Sequence, residues 1–211
     1  MADDYRNTKY CPTLENIQIK KDEIVKKIKK EHIKAIDMHT YISDNKDNYK
    51  KEFIKVYNGK CSYCGVSLDL IAKSSFQVDH FIFRKSPEFK GSKAAAGSID
   101  NLVLSCDICN HNKSSFSIPK DEREILHPDK KISTTFYRDE NYYIKVAKDF
   151  DFNVIVNDFY KALQLGTEIH RLDYLLMNMI GLQKQLTSEH PAYKDLGQAI
   201  ELLKRKRNIM A

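Results

Sequence analysis

Two matched cysteine pairs constrain this chain more than any other feature. They read Cys61-Ser-Tyr-Cys64 and Cys106-Asp-Ile-Cys109, with residues 65–105 between them. A CxxC pair can turn two thiolates toward one ion. Two such pairs in one short segment predict a tetrahedral zinc site, since four thiolates at ~2.3 Å satisfy zinc fully. A site closed in this way has no open position for substrate, so the expected role is structural. Whatever lies between the pairs must fold as a loop whose ends return to the same point. The fifth cysteine, Cys11, is left over. An odd count argues against a disulfide framework.

Composition sets looser limits. The 211 residues are 42% apolar, enough for a core and for one to two domains. The formal charge of +6 permits a nucleic-acid partner without requiring one. No apolar run approaches the ~20 residues of a membrane helix. The start, MADDYRNTKY, has no signal-peptide character, so a cytoplasmic protein is expected.

Periodicity divides the chain into three expected regions, 1–57, 58–118 and 119–211. Residues 1–12 read as a loose lead-in. Apolar residues recur at helical spacing from Ile17 to Ile42, including Ile24, Ile28, Ile33, Ala35 and Ile36, with lysines on the other face. A second helix is predicted from Asp47 to Tyr57, stopped by Asn58-Gly59. FQVDHFIF (76–83) and NLVLSC (101–106) read as strands. A basic loop joins them, and CNHNKSSF (109–116) opens a helix. A hairpin is expected over 134–147 with its turn near Asp139-Glu140-Asn141. Helices follow from Asn153: one ending near Leu165-Gly166, a longer one, and a last one from Pro191. The fold class is α+β.

Asp79 and His80 are neighbours on a predicted strand, so their side chains point to opposite faces. Taken alone, such a pair says little. Taken with CSYC, QVDHFIF, DNLVLSC and CDICNHNK, the segment Cys61–Lys113 resembles the HNH endonuclease family. That resemblance implies a zinc-clasped ββα-metal unit. It implies that His80 is the general base and that Asp79 binds a divalent metal. Asn101 corresponds to the central Asn, and Asn110, directly after the last cysteine, to the final metal ligand. The chain departs from many members in having Phe83 where Pro is common and Asn110 where His is common. An amide oxygen suits Mg²⁺, which prefers oxygen donors. His111 is an alternative ligand, but one helical step turns it by ~100°.

The resemblance further implies a catalytic Mg²⁺ or Mn²⁺, a DNA substrate, and products with a 5′-phosphate and a 3′-hydroxyl. It also suggests a restriction or anti-phage setting beside a partner such as an ATPase subunit. Arg84, Lys85 and Lys113 are candidates for contacts to phosphates. The competing expectation is a non-catalytic zinc-dependent nucleic-acid-binding module. Tyr137, Tyr142 and Tyr143 could stack bases, but packing against helices is the stronger expectation. No role is read for His32, His39, His127, His170 or His190.

Overall fold

A computed structural model describes residues 4–44 and 48–210. Helix α1 (Ile17–Glu31) buries Ile24 and Ile28 and turns most of its lysines to solvent. The helical pattern expected to run on to Ile42 instead breaks at His32. Asp37 then opens a separate helix α2 (Met38–Ser43) by accepting a hydrogen bond from the Thr40 N–H. An Asp side chain competing for backbone donors restarts a helix in this way. The break leaves Ile33 and Ile36 exposed, whereas Ala35 is buried. Helix α3 (Tyr49–Val56) buries Tyr49, Phe53, Ile54 and Val56. Asp47, its expected start, lies outside the described residues. Asn58 and Gly59 both take positive φ and end the helix.

A two-residue bridge between Lys60 and Ser67 then forms a small knuckle. Strand β1 (Phe76–His80) pairs antiparallel with β2 (Leu102–Cys106), so that Phe76 faces Cys106 and His80 faces Leu102. β1 stops short of the expected Phe83: the Phe81 N–H still bonds the Asn101 carbonyl, but the Ile82 N–H bonds the Asn101 side chain instead of a partner backbone. The connecting loop contains a single helical turn α4 (Lys93–Ala96), capped by Ser92. All five residues of β2 are buried, as a continuous apolar run predicts for a strand covered on both faces. Helix α5 (Asp107–Lys113) follows directly and packs on both strands.

Two single turns, α6 (Arg123–Leu126) and α7 (Ile132–Thr135), lead into the hairpin β3 (Phe136–Arg138) and β4 (Ile144–Val146). Asp139 accepts hydrogen bonds from the Asn141 and Tyr143 N–H groups and shapes its turn. Helices α8 (Val154–Ala162), α9 (Glu168–Gln185) and α10 (Ala192–Met210) complete the chain. The Leu/Met stripe of α9 is core, with Leu172, Leu176 and Met177 buried. α9 and α10 pack together around a buried Asp173–Arg207 pair. The result is a mostly helical chain holding two small antiparallel sheets. Among the described residues no helix is long and apolar enough to cross a membrane.

The N-terminal segment is not a loose lead-in from Asp4 onward, although residues 1–3 lie outside the described residues. Tyr5, Arg6 and Thr8 are buried. The Tyr5 hydroxyl donates to the Tyr63 carbonyl, and Arg6 donates to the carbonyls of Ser62 and Pro128. Buried carbonyls in a tight turn need donors from elsewhere, and this segment supplies them. One continuous cluster of buried apolar residues runs from Tyr5 to Leu165.

Two stability predictions follow from this packing. Gly65 has φ +83°, and a Cβ there would meet the Arg6 carbonyl oxygen at 2.4 Å. Gly65→Ala should therefore cost roughly 1–3 kcal/mol or more, read as a lower urea midpoint at unchanged slope; an unchanged midpoint would contradict the close approach. The Lys21 ammonium pairs with Asp129 in the interior, and Tyr57 donates to the same carboxylate. Lys21→Met should cost about 3–5 kcal/mol by stranding Asp129, and Asp129→Asn in the same chain should recover part of it.

Candidate active site and metal clasp

Cys61 and Cys64 sit on the knuckle, held by Cys61 N–H to Val66 and Gly65 N–H to Cys61 hydrogen bonds. Cys106 ends β2 and Cys109 lies in the first turn of α5. All four are buried, and their sulfurs lie within 4.8 Å of one another. The Cys64–Cys106 separation is 3.8 Å, which matches the ~3.8 Å edge of a tetrahedron with 2.3 Å zinc–sulfur bonds. Burial pushes the Cys64 thiol up, and hydrogen bonding to Cys106 does the same for Cys109. Four crowded sulfurs ionise together only around a cation. The donor set and its spacing fit zinc in a closed, structural site.

The clasp holds one end of the β1/β2 hairpin, and His80 stands at the other, about 13 Å along the strands. Tyr63, the spacer inside the first cysteine pair, links the two. Its hydroxyl donates to Asp79 Oδ2 at 2.8 Å. The Lys113 ammonium lies 3.2 Å from the same oxygen and also donates to the His80 carbonyl at 3.0 Å. Burial pushes Asp79 up to about 6, against the opposing pull of Lys113 and Tyr63.

Lys113 was expected to contact phosphate. It is instead 1% exposed, with its ammonium taken up by Asp79 and the β1 backbone. A buried ammonium requires such partners, and the last turn of α5 lies against the end of β1, where they are found. Asp79 likewise meets Tyr63 and Lys113. Asn110 lies one turn earlier on the same helix face as Lys113 and is half-buried, whereas His111 is exposed.

His80 follows Asp79 but faces the other way, as strand alternation requires. Its Nε2 is buried and has no hydrogen-bond partner among the described residues. Burial, reinforced by His39 and Arg84, pushes its pKa down to about 4, so the ring is neutral near pH 7. Asn101 clamps the loop after it. Its Oδ1 accepts from the Ile82 N–H at 2.8 Å, and its Nδ2 donates to the carbonyls of Ile82 and Ala96. Arg84 and Lys85 are exposed at the start of that loop.

Two residues at this site were not read from the sequence. Tyr63 counted there only as a spacer within CSYC. His39 comes from α2, and its ring lies 4.3 Å from that of His80 with the planes 33° apart. No motif or spacing ties position 39 to position 80. Of the other unassigned histidines, His32 packs on Tyr41, His127 bonds the Asp100 carbonyl and packs on Phe81, and His170 is buried on the inner face of α9. Of the hairpin tyrosines, Tyr142 stacks on Tyr174 and Tyr143 donates to Glu168, so both pack against α9.

Residues 61–116 match the family model described as HNH endonuclease. No curated protein and no solved structure matches the chain. The matched stretch begins at the first clasp cysteine and ends just past Lys113, about a quarter of the sequence. Residues 61–116 are thus an HNH endonuclease domain, carried within a longer, mostly helical chain.

Proposed function

We propose that this protein is a metal-dependent nuclease that hydrolyses phosphodiester bonds in DNA, with His80 as general base. The observation that carries the reading is the place of His80: it ends β1 beside Asp79 within the matched HNH segment, and its Nε2 has no partner among the described residues. A neutral imidazole with a free nitrogen can accept a proton from water. The water oxygen attacks phosphorus and its proton passes to His80; the bond to the 3′-oxygen breaks, and that oxygen leaves with the electron pair and takes a proton from solvent water. The products carry a 5′-phosphate and a 3′-hydroxyl.

Asp79 and Asn110 are the residues proposed to hold a divalent ion, Mg²⁺ or Mn²⁺. A carboxylate and an amide oxygen are suitable donors for such hard cations. When bound, the ion supplies charge stabilisation at the phosphate and the leaving oxygen. Lys113 holds the Asp79 carboxylate in place beside β1 and offsets its charge. Asn101 fixes the backbone two residues beyond the base through Ile82. Arg84 and Lys85 are placed to meet phosphates flanking the cut. The clasp zinc is assigned no part in the reaction.

A non-catalytic zinc-dependent nucleic-acid-binding module would share the clasp and the basic loop. It would leave the unpartnered nitrogen of His80 without a use. Leu202, Ile209 and Met210 of α10 are exposed, which favours a chain that works beside another subunit, as in a restriction or anti-phage assembly.

Plasmid nicking with Mg²⁺, Mn²⁺ or EDTA tests the nuclease reading. Cutting should require the added ion and fall by roughly 10²–10⁴-fold in His80→Ala, with zinc content unchanged. Undiminished cutting in that variant would remove His80 as base. Elemental analysis should give one zinc per chain, and strong chelators should lower the melting temperature sharply. Full stability after complete zinc removal would refute the structural role of the clasp.

A further inference from the structure

We propose that His39 is a positioning residue for His80: helix α2, which lies outside the HNH domain, sets the plane of the base. This inference rests on the nuclease reading above. His80 is the last residue of β1, and the chain leaves the ladder two residues later. Backbone pairing therefore fixes where its Cα lies but leaves the imidazole free to turn about its own side-chain bonds. The His39 ring, 4.3 Å away and tilted by 33°, lies against the His80 ring and limits that freedom.

His39 is itself held on several sides. Its Nε2 lies 3.0 Å from the Ser43 hydroxyl, one turn along α2. Helix α2 itself packs against β1, the strand that ends in His80. The start of α2 is docked on the loop between β1 and β2. The Met38 N–H donates to the Gly97 carbonyl at 3.0 Å. The Asp37 carboxylate lies so close to Gly97 that a Cβ there would meet Oδ1 at 1.9 Å. This loop is the one clamped by Asn101 through Ala96. Asn101 and His39 thus brace the base from two sides, one through the backbone after it and one through its ring. Only Asn101 belongs to the matched family segment. The N-terminal helices become part of the active site.

The experiment compares wild type, His39→Ala, His39→Phe and His80→Ala in the full chain. It uses single-turnover and steady-state cleavage of a plasmid, with melting temperature and zinc content as controls. His39→Ala should lower kcat by about 10- to 100-fold, as loss of a supporting contact does, with KM changed less than about 2-fold. His39→Phe keeps a flat ring over His80 and should return kcat to within about 3-fold of wild type. NMR of the His80 ring protons gives a readout independent of turnover: they should move in His39→Ala, where the neighbouring ring current is lost, and stay near wild type in His39→Phe. A His39→Ala protein with wild-type kcat and unmoved His80 resonances would overturn the proposal. So would a raised KM at constant kcat, which would make His39 a substrate contact. Failure of the nuclease reading is distinct, since then wild type and His80→Ala would behave alike while the NMR comparison still reports on the ring pair.

Discussion

The gathering of four buried sulfurs at one end of a five-residue hairpin is the constraint on which the rest depends. Two strands of this length have little stability of their own. Joining the knuckle to the end of β2 fixes the Ser62 and Tyr63 carbonyls, and these recruit Arg6 and Tyr5 from the start of the chain. Tyr63 then passes the constraint inward. Its carbonyl receives Tyr5, its hydroxyl holds Asp79, and Asp79 holds Lys113, which bonds the His80 backbone. The four-cysteine cluster at one end is thereby linked to Asp79 and His80 at the other through a short run of buried polar contacts.

The two neighbouring site residues sit in opposite electrostatic surroundings. Asp79 is buried with a cation and a hydroxyl, and desolvation raises its pKa despite them. His80 is partly buried among positive groups, and its pKa falls. Strand alternation makes the separation possible, because adjacent side chains leave on opposite faces. The proposed site therefore joins the two at the end of β1, where His80 is the last paired residue and an ion held by Asp79 would stand near the strand's end. The cost is that neither residue is placed by the strand alone. Asp79 needs Tyr63 and Lys113, and His80 lies against α2.

Much of the hairpin was legible in the residues. The two CxxC pairs announced the clasp, and the apolar run LVLSC announced a strand buried on both faces. The Asn-Leu step before it marked the residue that clamps the loop. The α1–α2 break was not legible, because Ile33 and Ile36 continue the helical period past His32, where α1 ends, and Asp37 then caps a new helix. The burial of Tyr5 and Arg6 was not legible either, since their partners are backbone carbonyls that carry no sequence signal. Lys113 stands in the sequence as a candidate phosphate contact, because it lies near the start of the helix that carries Asn110. Its burial follows from where the last turn of α5 meets β1.

The sequence by itself determined which groups this hairpin carries: which sulfurs gather, which strand is buried, and which histidine and amides stand along it. These follow from local spacing and periodicity, which are written in consecutive residues. Only the tertiary structure decided what surrounds those groups. It placed Tyr63 on Asp79, turned Lys113 inward, and laid His39 over His80 from a helix about forty residues away. Such contacts join positions that share no period and no motif, and only the packing of separate elements around the clasped hairpin brings them together.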